Sequence, residues 1–320
     1  MNRLLVTIFL SVVFCGLFAQ NDNYSSLNMF NHMYYNPGYA GDGNEIEAKG
    51  LNRNQWMGMP GTPNAFTFSI DMPFKLFGQH HGAGISIITD QIGYFSNTGL
   101  NISYAYRKSF MQGDLGIGAG LNMINQSLDG TFITSSGGDG SSDAAIPAGA
   151  SNKPLALDLN LGLFYKSDNL FLSISGRNLF SSNLKYINAE GTEATGDAVF
   201  SYGTQFFIST GYDYQLANPL FSLQPGIFIA SDFASTQWSA SGILTYNKRF
   251  FGGLAYKPTD AISILAGVDL PSGIEVAVAY DFTTSRIINA SKGSFEFMVG
   301  YSFSLDIDKD NRKYKSVRFL

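Results

Sequence analysis

From residue 155 to residue 166 the chain alternates without a break. Leu155, Leu157, Leu159, Leu161, Leu163 and Tyr165 take one side, and Ala156, Asp158, Asn160, Gly162, Phe164 and Lys166 take the other. Period two belongs to a β-strand with two unlike faces. The alternation recurs at residues 274–281 and 295–304, and with more noise in most of the chain from residue 65 onward. These runs are about 9–13 residues long. A tilted membrane-spanning strand needs about 9–11 residues, whereas strands of soluble sandwiches run near 5–6. The second face carries Gly, Ser, Asn, Thr and Asp rather than the Lys and Glu of a sheet facing water. The pattern therefore predicts an all-β fold, a transmembrane β-barrel of outer-membrane type, with apolar residues toward lipid and small polar ones toward a lumen. Lumen positions such as Asn160 are expected to tolerate small polar replacements.

Composition narrows the function classes. Charged residues make up 14 %, against roughly 25 % in soluble domains. The 20 Lys and Arg are scattered and the net charge is −5, which excludes a nucleic-acid binder, whose phosphate partner demands clustered cations. Tyr106, Tyr165, Tyr214, Tyr246, Tyr256 and Tyr280 fall at strand ends, as an interfacial girdle requires.

Fourteen antiparallel strands are expected, centred near residues 49, 69, 87, 102, 119, 160, 174, 208, 227, 242, 254, 265, 278 and 299. An even count puts both termini on the periplasmic side. The long connections, 127–153, 179–198 and 283–292, then all fall at the outer end. Residues 1–19 read as a signal peptide: a short positive start, an apolar run over 4–18, and Ala19 before Gln20. The one cysteine, Cys15, lies inside it, so no disulfide or thiol chemistry is expected afterwards. Residues 20–44 read as a periplasmic or plug segment, 45–304 as the barrel and 305–320 as a periplasmic tail.

Catalytic machinery is not expected. The three histidines are His32, His80 and His81, and the adjacent pair reads as an exposed turn rather than a metal site. There is no G-x-S-x-G elbow. Gly116-Ile117-Gly118-Ala119-Gly120 sits inside an alternating strand, where glycine suits a lumen face better than a dinucleotide loop. Asp306, Asp308 and Asp310 begin like a calcium loop, but Asn311 and Val317 replace its glycine and glutamate. No catalytic residue, metal or cofactor is assigned.

The N-terminal part does not alternate. It carries Asn36-Pro37-Gly38-Tyr39-Ala40-Gly41, then Arg53-Asn54-Gln55-Trp56 and Gly61-Thr62-Pro63. Asn-Pro opens a turn and Gly41 permits positive φ. Asn36, Pro37, Ala40, Gly41, Arg53, Gln55, Trp56 and Pro63 are the candidates for partner docking or for a plug. In these motifs the chain resembles the PorP/SprF family of type IX secretion and gliding proteins of Bacteroidota. Further matches are Ser69-Ile70-Asp71-Met72-Pro73, Asp90-Gln91-Ile92-Gly93, Gly253-Leu254-Ala255-Tyr256-Lys257, Tyr280-Asp281 and Gly293-Ser294-Phe295-Glu296. Lys257 stands where the family usually has Arg, and Gly38 where it has Ala. The resemblance implies an outer-membrane protein that is no enzyme. It would support export or surface anchoring of large cargo such as adhesins. Implied partners are outer-membrane lipid, other type IX components, and a cargo's C-terminal sorting domain or a surface adhesin. A passive channel or hydrophobic-compound transporter is the alternative.

Overall fold

The computed structural model describes residues 24–93, 95–128, 155–184, 200–258 and 260–304. The expected signal peptide, most of the two longest loops and the C-terminal tail lie outside them. Among the described residues fourteen strands build the barrel wall, in chain order: β1 (Ile46–Asn54), β2 (Asn64–Leu76), β3 (Gln79–Ile92), β4 (Phe95–Phe110), β5 (Gly113–Leu128), β6 (Leu155–Ser167), β7 (Leu170–Arg177), β8 (Gln205–Tyr212), β9 (Phe221–Ser231), β10 (Thr236–Tyr246), β11 (Phe250–Lys257), β12 (Ala261–Asp269), β13 (Ile274–Thr283) and β14 (Ser294–Phe303). Each pairs antiparallel with its neighbours in sequence, and β1 pairs with β14 to close the barrel. Closure leaves the sheet without an edge. Every expected strand centre falls within one of these strands.

Strand β6 turns its sides as the alternation requires. Leu161 is 46 % exposed on the outer face, while Asn160 and Phe164 are each 1 % exposed inside. The same holds on β14, with Phe295, Phe297 and Val299 outside and Glu296 and Met298 inside. Among the described residues no helix is long and apolar enough to cross a membrane. Leu161→Arg is expected to cost about 2–4 kcal/mol, because Leu161 faces lipid mid-strand. Urea titration of the folded, heat-modifiable species measures it.

Connections at one end are short: 77–78, 111–112, 168–169, 213–220, 247–249 and 270–273. The strands joined by the long ones, 129–154, 178–204 and 284–293, meet those connections at the other end, which is the outer end of such a barrel.

Three expectations need correction. The lumen face is not uniformly polar: Phe164, Phe207, Phe228, Ile243, Leu265 and Met298 are buried there. They have something apolar to cover, described below. Asn160 is not free to vary either. Its amide donates to Asn101 Oδ1 at 3.0 Å and its oxygen accepts from the Asn178 N–H at 3.0 Å. Serine is too short to make both bonds, and a buried donor or acceptor left unmade costs about 1–3 kcal/mol. His81 does not lie in an exposed turn. It sits on β3 and is buried on the outer face, with Nδ1 2.6 Å from the Tyr104 hydroxyl and its ring stacked on Phe74.

Candidate functional site

Residues 24–42 run inside the barrel. Asn36 and Pro37 set the local geometry. Asn36 Oδ1 accepts the Gly38 N–H at 2.7 Å, and Pro37 opens a 3₁₀ turn, Pro37–Tyr39, where its missing N–H is not needed. The Asn36 amide reaches the wall, donating to Leu163 O and Ser173 Oγ, both at 2.8 Å. Pro37, Gly38 and Ala40 then lie on a glycine track. A Cβ at Gly118 would stand 2.4 Å from Gly38 N, one at Gly116 2.1 Å from Gly38 O, and one at Gly82 1.9 Å from Ala40 O. Backbone meets backbone, which only glycine allows. Gly41 has φ +67° and donates its N–H to Asp71 Oδ2 at 2.7 Å. The Ala-Gly and Ser-x-Asp motifs thus meet. Arg107 covers this stretch, bonding the Tyr39 carbonyl at 3.2 Å and pairing with Asp42, which also binds Lys166 at 2.7 Å.

The segment begins in the outer half of the lumen, around a buried ionic cluster. Arg53 on β1 is the register partner of Glu296 on β14. Its guanidinium is 2.9 Å from Asp281 Oδ2 and contacts the Glu296 carboxylate. Lys257 is 3.3 Å from Asp281 Oδ2 and donates to Tyr24 O at 3.1 Å. Glu296 Oε1 accepts the Ser26 N–H at 2.7 Å, Oε2 accepts the Leu27 N–H at 3.1 Å, and Ser26 Oγ donates to Asp281 at 2.6 Å. Two cations and two carboxylates balance, and the remaining acceptors are filled by the chain they hold. An even strand count put both termini on the periplasmic side. Strand β1 does start at that rim, but the segment before it climbs the lumen to Tyr24, beside Lys257 at the outer end of β11.

Aromatic packing fills the space between. Tyr24 and Tyr35 meet Phe207 and Phe228 edge-on or tilted at 5.0–5.7 Å, a geometry that suits ring quadrupoles. Arg177 lies over the Tyr34 ring at 4.5 Å. Leu27 packs with Leu51, Leu265 and Met298. A cavity of about 10 Å³ remains beside Asn28 and His32, room for about one water. The ring of His32 is 4.8 Å from Phe171 and also meets Phe164 and Tyr39.

Burial, and then the charges of Lys49 and Lys166, push His32 down to about 3. A histidine held neutral stabilises fully above its unfolded pKa of about 6.5, and the contribution fades as pH falls from there toward the folded value. Between pH 7 and pH 4.5 the protease resistance of residues 24–42 is expected to fall more, relative to its value at pH 7, in the parent than in His32→Gln. Equal falls would contradict a neutral, caged ring.

The eight candidate residues therefore divide into three groups. Asn36, Pro37, Ala40 and Gly41 are buried in the lumen, and Arg53 is in the ionic cluster. Gln55, Trp56 and Pro63 form the outer β1–β2 turn. The Gln55 N–H donates to Pro63 O at 2.9 Å, and Trp56 is half-buried with φ +51°. The Trp56 N–H bonds Ser294 Oγ at 3.1 Å, and Met57 exchanges backbone bonds with Gly293 and Lys292, bracing this turn on the β13–β14 loop. Asp281, Glu296, Lys257 and Ser26 were not among the candidates. The usable signal was strand parity, because the lumen-facing Arg53 requires carboxylates at lumen parity elsewhere. Among the described residues no group of His, Cys, Asp and Glu could hold a metal ion.

A closed antiparallel barrel with an apolar outer face, tyrosines at its rims and its own N-terminal segment in the lumen defines an outer-membrane β-barrel protein. The chain belongs to the PorP/SprF family of type IX secretion system membrane proteins, whose profile matches residues 17–301. It is a membrane component of type IX secretion located in the outer membrane. Among solved structures it is similar to the CymD monoaromatic hydrocarbon channel, with 13 % identity over 90 % of this chain and 95 % of that one and a TM-score of 0.49. The Ralstonia pickettii toluene transporter TbuX is similar at 12 % identity, 88 % and 94 % coverage and TM-score 0.47. Acinetobacter baumannii Omp33 is similar at 9 % identity, 82 % and 100 % coverage and TM-score 0.46. No curated protein matches the chain.

Proposed function

We propose that this protein supports export or surface anchoring of one or a few large cargo proteins, such as adhesins, without catalytic turnover. It would act through its rims and loops rather than by passing cargo through its barrel. The observation that carries this reading is the occupied lumen: residues 24–42 are fixed to the wall by the Arg53 cluster, by Asn36 and by Arg107. A polypeptide in transit needs that space. Partners on this reading are other type IX components and a cargo's C-terminal sorting domain or a surface adhesin.

Deleting the gene and comparing surface and secreted proteomes is the test. Loss of specific surface cargo, or of type IX export as a whole, supports the reading. Normal cargo in a clean deletion overturns it and favours the passive-channel alternative, which solute uptake by liposomes would then check. Trp56→Ala is expected to leave a heat-modifiable barrel and reduce surface cargo, since a half-buried indole at the outer rim is suited to a protein contact.

A further inference from the structure

Strand β1 departs from the rule its neighbours obey. Arg53 points into the lumen, so Ala48, Gly50, Asn52 and Asn54 face outward. Gly50 lies between Val299 of β14 and Phe68 of β2, and Asn52 lies between Phe297 and Phe66. A lipid-facing band calls for apolar side chains here. At the closure seam it has amides instead. The amides bond one another without using themselves up. Asn54 Nδ2 donates to Asn52 Oδ1 at 2.9 Å, and Asn52 Nδ2 donates to Asn64 Oδ1 at 3.2 Å. Asn64 is the register partner of Asn54. The Asn64 Nδ2 donor and the Asn54 Oδ1 acceptor have no partner among the described residues. Beneath them a Cβ at Gly50 would meet nothing nearer than the Phe66 ring at 3.9 Å, so the floor between the aromatic rows is open.

Depth and charge say what fits. Asn54 is opposite Phe295, and Phe295 is opposite Tyr280, so the amides share the register row of an outer girdle tyrosine. Lipid head groups join their acyl chains at that level. A free donor beside a free acceptor matches the C=O and N–H of an amide-linked chain, whereas an ester offers acceptors alone. Above the amides, the β1–β2 turn (55–63) carries no charge, and the β13–β14 loop (284–293) carries Arg286 and Lys292, both exposed, and no carboxylate. The Lys292 stem lies over Gly58, 3.3 Å from where a Cβ would stand, and its carbonyl accepts the Tyr280 hydroxyl. It therefore stands over the seam. The flanking carboxylates are turned to the lumen: the field of Asp260 falls on Arg53, and Asp90 has the lumen parity of Ser86. Cations, then amides, then an open apolar floor follow one another down the wall, in the order of phosphate, acyl linkage and chain in an anionic lipid.

We propose that the outer face of the β14–β1–β2 seam is a binding site for a phosphorylated glycolipid of the outer leaflet with an amide-linked acyl chain. Its phosphate meets Arg286 and Lys292, its amide meets Asn54 and Asn64, and its chain lies over Gly50. This is a specific seat, beyond the bulk lipid contact of any barrel, and it holds whether or not the protein serves cargo. Native mass spectrometry of the full chain, extracted from phosphatidylcholine vesicles that contain lipid A, tests it. The parent should retain lipid A. Asn54→Leu/Asn64→Leu should lower the retained fraction about tenfold, the worth of two ordinary hydrogen bonds. Arg286→Gln/Lys292→Gln should lower it by about as much, since each cation near a membrane surface is worth roughly 1 kcal/mol toward anionic lipid. Gly50→Leu fills the floor with a side chain that suits a lipid face, and it should lower retention in a barrel that stays heat-modifiable. Phosphatidylglycerol, anionic but ester-linked, should be retained far less than lipid A. No retention by the parent, unchanged retention in any of the three variants, or equal retention of phosphatidylglycerol overturns the proposal. A dimer mass that Gly50→Leu abolishes also overturns it, because a second copy would then occupy the seam.

Discussion

Arg53→Ala is expected to destabilise the barrel by about 3–5 kcal/mol, the penalty for leaving buried charges without their partner. The guanidinium is 2 % exposed and lies between Asp281 and Glu296, themselves 2 % or less exposed. Of the two carboxylates Lys257 reaches only Asp281, so removing Arg53 leaves Glu296 without a cation. The loss should fall sharply when Glu296 is neutralised as well. Arg53→Met with Glu296→Gln leaves one cation and one carboxylate, Lys257 and Asp281, still balanced. Urea midpoints of the heat-modifiable species decide the matter. A single variant within about 1 kcal/mol of the parent, or a double variant no more stable than Arg53→Ala, would rule out a charge-balanced cluster.

The second large effect concerns conductance. The parent barrel is expected to pass little current in a planar bilayer, because residues 24–42 fill its lumen. Gly118→Val should change that. The new side chain would start 2.4 Å from Gly38 N and from the carbonyl carbon of Pro37, and 2.5 Å from the Pro37 oxygen. All three are backbone atoms that cannot rotate away. Valine suits the strand itself, so the wall should hold while the segment is pushed off its track. Ordered pore openings and protease cleavage near Tyr39 are the expected readouts. A variant as silent and resistant as the parent would mean that the segment does not depend on the glycine track.

The barrel was legible because lipid and lumen impose opposite demands on alternate residues. Strand length, face and number all follow from that one rule, and the fourteen expected centres lie in the fourteen strands. The contents of the lumen were not legible. Period two says that Phe164 shares a face with Asn160, but not that His32 and Tyr39 wait inside to cover it. His81 escaped for a similar reason: the strands extend past the hydrocarbon, and rings on β2 and β4 enclose it. Asn36 and Gly41 stood out as turn residues, yet their wall partners, Ser173 and Asp71, lie on strands that no local pattern connects to them. Arg53 and Glu296 are 243 positions apart. Only closure of the barrel makes them neighbours.

That closure has a kinetic side. Strands β1 and β14 are the first and last of the sheet, and the carboxylate at their junction also binds the backbone of Ser26 and Leu27. During biogenesis Ser26 and Leu27 therefore wait for the final hairpin to arrive. These are contacts of very high sequence separation, whose loop-closure entropy is met late and all at once. Sealing the sheet and seating the N-terminal segment become one event on the folding route. A chain truncated before β14 lacks the acceptor that would hold its own beginning, and quality-control proteases would meet both loose ends together.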